Sequence, residues 1–194
     1  MYVIFEGIDT CGKSTQVTFF QERHQDVIAT KEPGGTATGK KLRSILLDGE
    51  DKLSFNAELF LFLADRALHY DSVVKESRQT HTVISDRGFL SGIAYACANH
   101  PAVDRNFLLS LNHYALDGNF PDKIVLFVTT ERLLHERLST KENDAIEGRG
   151  VSYLLQIQAI MRELLHQLGI DYLEVDASLD REAIYQKIEE FIYG

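Results

Sequence analysis

The stretch Tyr2-Val3-Ile4-Phe5-Glu6-Gly7-Ile8-Asp9-Thr10-Cys11-Gly12-Lys13-Ser14 decides the fold. Tyr2–Glu6 is short, bulky and mostly apolar on both faces, as a buried parallel strand is. It runs directly into Gly7-Ile8-Asp9-Thr10-Cys11-Gly12-Lys13-Ser14, which satisfies G-x-x-x-x-G-K-[ST] in full. The spacing has a physical cause. Glycines let the backbone wrap tightly, so amides from Gly7 through Ile8, Asp9, Thr10, Cys11 and Gly12 to Thr15 turn inward onto phosphate oxygens. A helix opening near Lys13 adds its positive N-terminal end. Lys13 is then expected to reach the β- and γ-phosphates of ATP, and the Ser14 hydroxyl to ligate Mg²⁺. A glycine-bearing turn with no ligand is the alternative, and a strand before and a helix after the motif argue against it.

Outward from this loop, short apolar runs alternate with longer segments of helical period. Further strands are expected at 27–30, Thr82–Asp86, Lys123–Val128 and 172–176. The clearest helix spans Val151–Leu168, with Val151, Leu154, Leu155, Met161, Leu165 and Leu168 along one face and Gly169 as its stop. Another, over 181–192, groups Ile184, Ile188, Phe191 and Ile192. The alternation predicts an α/β protein, a P-loop NTPase-type sandwich with a parallel β-sheet of about five strands flanked by helices. No repeat or Gly/Ser linker divides the 194 residues, so one domain over 1–194 is expected, with ligands beyond the carboxyl ends of the strands.

The formal charge of −9 argues against a nucleic-acid polymer as partner, since such proteins carry a basic footprint. A small polyanion needs only a few cations gathered in one cleft, so the placement of the arginines matters more than their number. No apolar run approaches the ~18–20 residues of a membrane helix, and no leader precedes the first strand. Cys11 and Cys97 are too few for a disulfide framework and lack metal-ligand spacing. A reduced, cytoplasmic enzyme is expected.

Four further segments fall at expected strand ends or on helices: Lys31-Glu32-Pro33-Gly34-Gly35-Thr36 followed by Leu42-Arg43, Phe62-Leu63-Ala64-Asp65-Arg66, Asp86-Arg87, and Ser91-Gly92-Ile93-Ala94-Tyr95. Singly they read as a turn, a solvated Asp65–Arg66 pair or an Asp86–Arg87 salt bridge. Together with the loop, in this order and spacing, they resemble the bacterial thymidylate kinase family over essentially the whole chain. The shared features are an FEGID-x-x-GKST opening, an EPGGT loop, an LR pair, an F-x-x-DR segment, a DR-x-x-x-S-x-x-AY segment and a D-x-IE lid. The resemblance implies ATP as donor, Mg²⁺ as cofactor, dTMP as acceptor and a homodimer, to whose face residues 55–63 would contribute. It also implies that Arg66 and Arg87 hold the acceptor phosphate, for which a guanidinium fork is suited. Phe62 would stack on thymine, Arg43 would contact the base edge, and Asp9 would sit near the sugar 3′-hydroxyl. Ser91 and Tyr95 would line the nucleoside pocket. Gly92 stands where many relatives carry Asn, Ser or Thr, and Ala96 replaces a common glutamine.

Asp86, at a strand end, is expected to orient Mg²⁺ through water; Glu6 is either a second magnesium-shell group or a structural acceptor. No Asn-Lys-x-Asp guanine reader occurs, which favours a kinase over a GTPase-type switch. A deoxynucleoside kinase is the nearer alternative, but it would start from a neutral hydroxyl and need a general base. Cys11, near a helix N-terminus and Lys13, is expected to be either a reactive thiol or a small residue turned into the core. Both usual sources of the catalytic arginine are absent here, because the loop carries Thr10-Cys11 and the lid, about 139–150, has Ala145 after Asp144. Lys141, Arg149 or Arg137 is expected to supply that cation.

Overall fold

A computed structural model describes residues 1–49, 52–138 and 150–194. Five strands, β1 (Tyr2–Glu6), β2 (Val27–Lys31), β3 (Thr82–Asp86), β4 (Lys123–Val128) and β5 (Asp171–Asp176), form one parallel sheet in the order β2-β3-β1-β4-β5. Three strands have the expected bounds, and β2 and β5 are each one residue longer, gaining Lys31 and Asp171. Central placement explains why β1 is apolar throughout. Successive side chains of a strand point to opposite faces. Tyr2 and Ile4 therefore enter one core cluster, with Ile93, Ile157 and Met161. Val3 and Phe5 enter the other, with Phe20, Phe127 and Ile188.

Helices α1 (Lys13–Arg23) and α9 (Arg181–Tyr193) supply the second cluster. Between β2 and β3 lie α2 (Ala37–Leu47), α3 (Phe55–His69), a π-helical turn at Tyr70–Val74 and the short α4 (Lys75–Ser77). Next in sequence come α5 (Phe89–Asn99), α6 (Arg105–Ala115), α7 (Glu131–Leu138) and α8 (Val151–Leu168). Helix starts follow their caps: Thr36, Ser54, Asp104 and Asp180 each accept a backbone N–H from the first turn beyond. Gly169 ends α8 at φ 61°, a left-handed position that glycine adopts without a Cβ clash. Of the face expected on α8, Leu154, Met161 and Leu165 are buried while Val151, Leu155 and Leu168 flank them. Helix α3 packs on α2, α5 and α6, and this group borders the ligand cleft.

One polar residue in the core of α8 ties that helix to the sheet. Gln158, buried, accepts from Thr129 N at 2.8 Å and donates to Thr129 O at 3.0 Å, completing the backbone just past β4. Gln158→Leu would strand both backbone groups, and each buried unsatisfied group costs about 1–3 kcal/mol. A fall of the urea midpoint at unchanged slope is the expected result. An unchanged midpoint would mean that water takes over both bonds.

Candidate functional site

The carboxyl ends of β1 and β3 open into two adjoining cavities. The first, about 530 Å³, is lined by Asp9, Thr10, Gly12, Lys13, Ser14, Thr15, Lys31, Glu32, Arg43, Asp86, Arg87 and Arg137. Its floor is the loop read from the sequence. Gly7 has φ 141°, and a Cβ there would lie 2.7 Å from the Phe127 carbonyl oxygen, so only glycine lets the loop press against β4. Gly12, at φ 98°, opens α1. Lys13 is buried and donates to Ile8 O at 2.8 Å, holding its ammonium over the loop. Thr10 takes φ 63°, unusual for a β-branched residue, and its buried Oγ1 has no hydrogen-bond partner among the described residues. Ser14 Oγ donates to Asp86 Oδ2 at 2.5 Å, so the two expected magnesium groups meet. One hydroxyl and one carboxylate, completed by phosphate oxygens and water, suit the small octahedral shell of Mg²⁺. Among the described residues no group of three or more His, Cys, Asp or Glu could hold a metal alone.

Arg87 joins the first cavity to the second. Its backbone adopts φ 72°, a strained position of the kind that persists at functional sites. Its guanidinium donates to Gly7 O (2.9 Å), Ser91 Oγ (3.1 Å) and Asp9 Oδ1 (2.5 Å). Burial disfavours the charged form, but Asp9 together with Tyr95, Asp86 and Glu6 outweighs it and raises the pKa, so Arg87 stays cationic. The Tyr95 hydroxyl approaches Asp9 Oδ2 at 3.5 Å, and burial raises the pKa of the phenol.

The second cavity, about 600 Å³, is more apolar and shares Asp9, Glu32, Arg43 and Arg87 with the first. Phe62, Arg66, Ser91, Gly92, Tyr95, Ala96 and Tyr153 stand on its walls. Arg43, which donates to Pro33 O at 3.0 Å, reaches both cavities. Arg66 lines the second cavity and not the first. It is buried and bonded through Nε to Glu32 Oε2 (2.9 Å) and through Nη1 to Asn112 Oδ1 (2.6 Å). A Cβ on Gly92 would come within 3.4 Å of Arg66 Nη1, so the missing side chain leaves room beside the guanidinium.

Several expectations change. Asp65 and Arg66 are not a solvated pair: both are buried, and Asp65 accepts the Gly34 N–H with both oxygens, at 3.1 and 3.2 Å. Asp86 pairs with Ser14, not with Arg87, whose partner is Asp9. Glu6 is structural. It is buried, and its Oε1 accepts from Leu90 N (3.1 Å) and Ser91 N (3.2 Å) while Oε2 accepts from Ser91 Oγ. It thus caps α5, whose own cap residue Gly88 has no side chain to do so. Burial raises its pKa, against the Ser91 hydrogen bond. Arg137, at the end of α7, donates to Thr10 O (2.7 Å) and Ala177 O (2.6 Å), placing its guanidinium at the first cavity. Lys141 and Arg149 lie outside the described residues. Asn112 was not foreseen; an asparagine on the apolar face of a helix was its one signal.

The family model described as thymidylate kinase matches residues 5–188. The chain is 51% identical over 193 residues to the thymidylate kinase of Campylobacter curvus, covering 99% of each chain. It is 50% identical over 192 residues to that of a Sulfurovum species, again covering 99% of each. It also superposes on the crystal structure of thymidylate kinase from Ehrlichia chaffeensis with a TM-score of 0.76. That match covers 100% of this chain and 98% of the other at 22% identity, a likeness of fold.

The geometry decides between the two readings of Cys11. Its thiol is 1% exposed, packs in the cluster with Phe5 and Phe127, and donates to Ile8 O at 2.9 Å. The loop therefore offers a ligand the Cys11 backbone and not its sulfur. Native protein is expected to alkylate slowly at Cys11 with or without ATP, and rapidly once unfolded in urea. Fast native labelling that ATP suppresses would return the thiol to the cavity.

Proposed function

The chain belongs to the thymidylate kinase family, and we infer that it transfers the γ-phosphoryl group of ATP to dTMP, releasing ADP and dTDP. The observation that carries this reading is the shared wall of Asp9, Glu32, Arg43 and Arg87 between the P-loop cavity and an apolar cavity of nucleoside size. Two nucleotides seated there meet through their phosphates. The dTMP phosphate has a second pKa of about 6, so near neutral pH the attacking oxygen is deprotonated and needs no general base. That oxygen bonds to the γ-phosphorus as the bond to the β,γ-bridging oxygen breaks and ADP takes up the electrons. The chain's work is alignment and charge stabilisation. Backbone amides of 7–15 and the Lys13 ammonium hold the donor phosphates, while Arg87 faces the junction. Mg²⁺, when bound, would supply positive charge that offsets the negative charge of the donor phosphates. Ser14 and Asp86 are the residues that would hold it.

The positions of the two cleft arginines favour a reversal of the roles first expected. Arg43 borders both cavities, where an acceptor phosphate must lie, whereas Arg66 sits in the apolar cavity beside Phe62 and Gly92. We assign Arg43 with Arg87 to the phosphate, Phe62 to stacking on the base, and Arg66 to the thymine O4 acceptor. Asp9 and Tyr95, close together, would face the deoxyribose.

Initial rates of ADP release with ATP–Mg²⁺ and each of dTMP, dUMP, dCMP, dGMP and thymidine test the activity; thymidine used in preference to dTMP would overturn it. Arg43→Ala is expected to lower kcat/KM for dTMP, dUMP and dCMP alike by roughly 10- to 200-fold, the loss of one charge-assisted contact. Arg66→Ala is expected to narrow the preference for dTMP over dCMP, which has an amino group at C4, while leaving dTMP over dUMP unchanged. The opposite pattern would restore the first assignment.

A homodimer fits the packing of α3 against α6, which leaves Phe60 59% exposed on one helix and Phe107 and Tyr114 53% and 87% exposed on the other. Phe55, Leu59, Phe62 and Leu63 turn toward the nucleoside cavity and Leu61 is half-buried, so Phe60 is the large residue of 55–63 most offered outward. Phe60→Glu is expected to halve the mass measured by light scattering. A variant of unchanged mass would place the interface elsewhere. Two free, buried cysteines accord with a reducing, cytoplasmic setting, and no helix among the described residues is long and apolar enough to cross a membrane.

A further inference from the structure

Behind Arg66 lies a second layer of polar groups, of which His69 and Thr30 line neither cavity. The Glu32 carboxylate divides its oxygens between two partners. Oε2 accepts from Arg66 Nε (2.9 Å) and lies 2.8 Å from Nη2, while Oε1 lies 2.8 Å from His69 Nδ1. His69, the last residue of α3, is 0% exposed. Its other nitrogen, Nε2, lies 2.8 Å from the Thr30 hydroxyl near the end of β2. Arg66 and His69 hold the Glu32 pKa below its ordinary value against the upward push of burial, so the carboxylate is an acceptor only. His69 Nδ1 therefore carries a proton and donates to Glu32, and Nε2 shares a hydrogen bond with the Thr30 hydroxyl. Both ring nitrogens are then committed.

The loop 32–36 is shaped around this ring. A Cβ on Gly35 would lie 2.6 Å from His69 Cδ2, 2.7 Å from Lys31 O and 2.9 Å from Thr30 Oγ1, so the loop closes over the imidazole only because residue 35 has no side chain. Gly34 N is bonded to Asp65, immediately before Arg66, which fastens the same loop to α3. The helix changes to a π turn at Tyr70, directly after His69. On the other side, Asn112 takes Arg66 Nη1 and anchors its own amide on Leu108 O at 2.8 Å. The guanidinium plane is thus held at two edges by Glu32 and Asn112.

We propose that His69, backed by Thr30, is a positioning residue for the acceptor base: it locks Glu32, and Glu32 fixes the angle at which Arg66 meets the pyrimidine. A planar donor fork discriminates between carbonyl and amino groups only while its plane is held. Without the imidazole, the Glu32 carboxylate turns toward a new donor and Arg66 turns with it. The first consequence is weaker and less selective acceptor binding, with the ATP site untouched. This inference rests on Arg66 facing the base, and Arg66→Ala is therefore the reference variant.

The experiment uses the full chain and measures kcat, KM for dTMP, KM for ATP, and kcat/KM for dCMP, with circular dichroism checking the fold. Thr30→Val deletes one hydroxyl and leaves His69 Nε2 without its partner. It is expected to raise KM for dTMP severalfold, to narrow the preference for dTMP over dCMP, and to leave KM for ATP unchanged. His69→Leu is expected to do the same by about tenfold, the loss of a buried hydrogen bond to a charged group. His69→Asn, which keeps an N–H near the Nδ1 position, is expected to recover most of the loss. If His69→Leu does not fold, Thr30→Val and His69→Asn carry the test. Should Arg66→Ala narrow the preference while Thr30→Val and the folded His69 variants leave it at the wild-type value, or lower kcat and raise both KM values together, His69 is merely structural. Should Arg66→Ala itself leave the preference intact, the placement of Arg66 at the base is wrong and the inference falls with it.

Discussion

The ion pair between Asp9 and Arg87 is the constraint on which the rest of the site depends. Asp9 belongs to the phosphate loop after β1, and Arg87 follows β3, the neighbouring strand. A carboxylate within a phosphate-binding loop is unfavourable unless a cation answers it. Arg87 does so, and its remaining donors reach Gly7 O and Ser91 Oγ. One guanidinium thereby connects the loop, the adjacent strand and the first turn of α5. Glu6 reinforces the link from the strand side by receiving the amides and hydroxyl at the start of that helix. The unusual backbone at Arg87 is stabilised by these contacts, since a residue at φ 72° persists only where its surroundings over-determine it.

The fold was legible because its signals are local. The central strands β1, β3 and β4 declare themselves by runs of buried, mostly apolar residues, and the Gly7–Ser14 loop is a backbone motif whose spacing alone implies its shape. The meeting of Ser14 with Asp86 could be foreseen for a related reason: Asp86 ends β3, and Ser14 opens α1 beyond the carboxyl end of the neighbouring strand β1. What resisted reading were side-chain directions that long-range packing decides. Glu6 finds its partners 84 and 85 residues away, so nothing near it in sequence separates a cap from a metal group. Arg43 and Arg66 stand on adjacent helices, and only the packing of α2 on α3 determines which one borders the P-loop cavity. Electrostatics near Cys11 suggested reactivity, yet a hydrogen bond to Ile8 O and apolar neighbours turn the sulfur inward.

The polar interior also separates two kinds of buried charge. Glu32, Arg66, His69 and Asn112 form a closed set in which each group has a partner, and such a set gives up stability relative to apolar packing in exchange for fixed orientation. Around the phosphate loop the bonds are provisional. Lys13 is held by Ile8 O and Ser14 by Asp86, both of which are contacts that a phosphate and a metal ion would replace. The acceptor side is thus pre-organised by the protein, while the donor side holds its cations on weaker internal substitutes.

The wall common to both cavities has a thermodynamic corollary. Asp9, Glu32, Arg43 and Arg87 face two compartments at once, so an occupant of either compartment contacts groups that border the other. Whatever one occupant does to the affinity for the other, the second does in return by the same factor, as linkage demands. The Arg87 guanidinium, already held by Asp9, Gly7 O and Ser91, is the group through which such an exchange would pass.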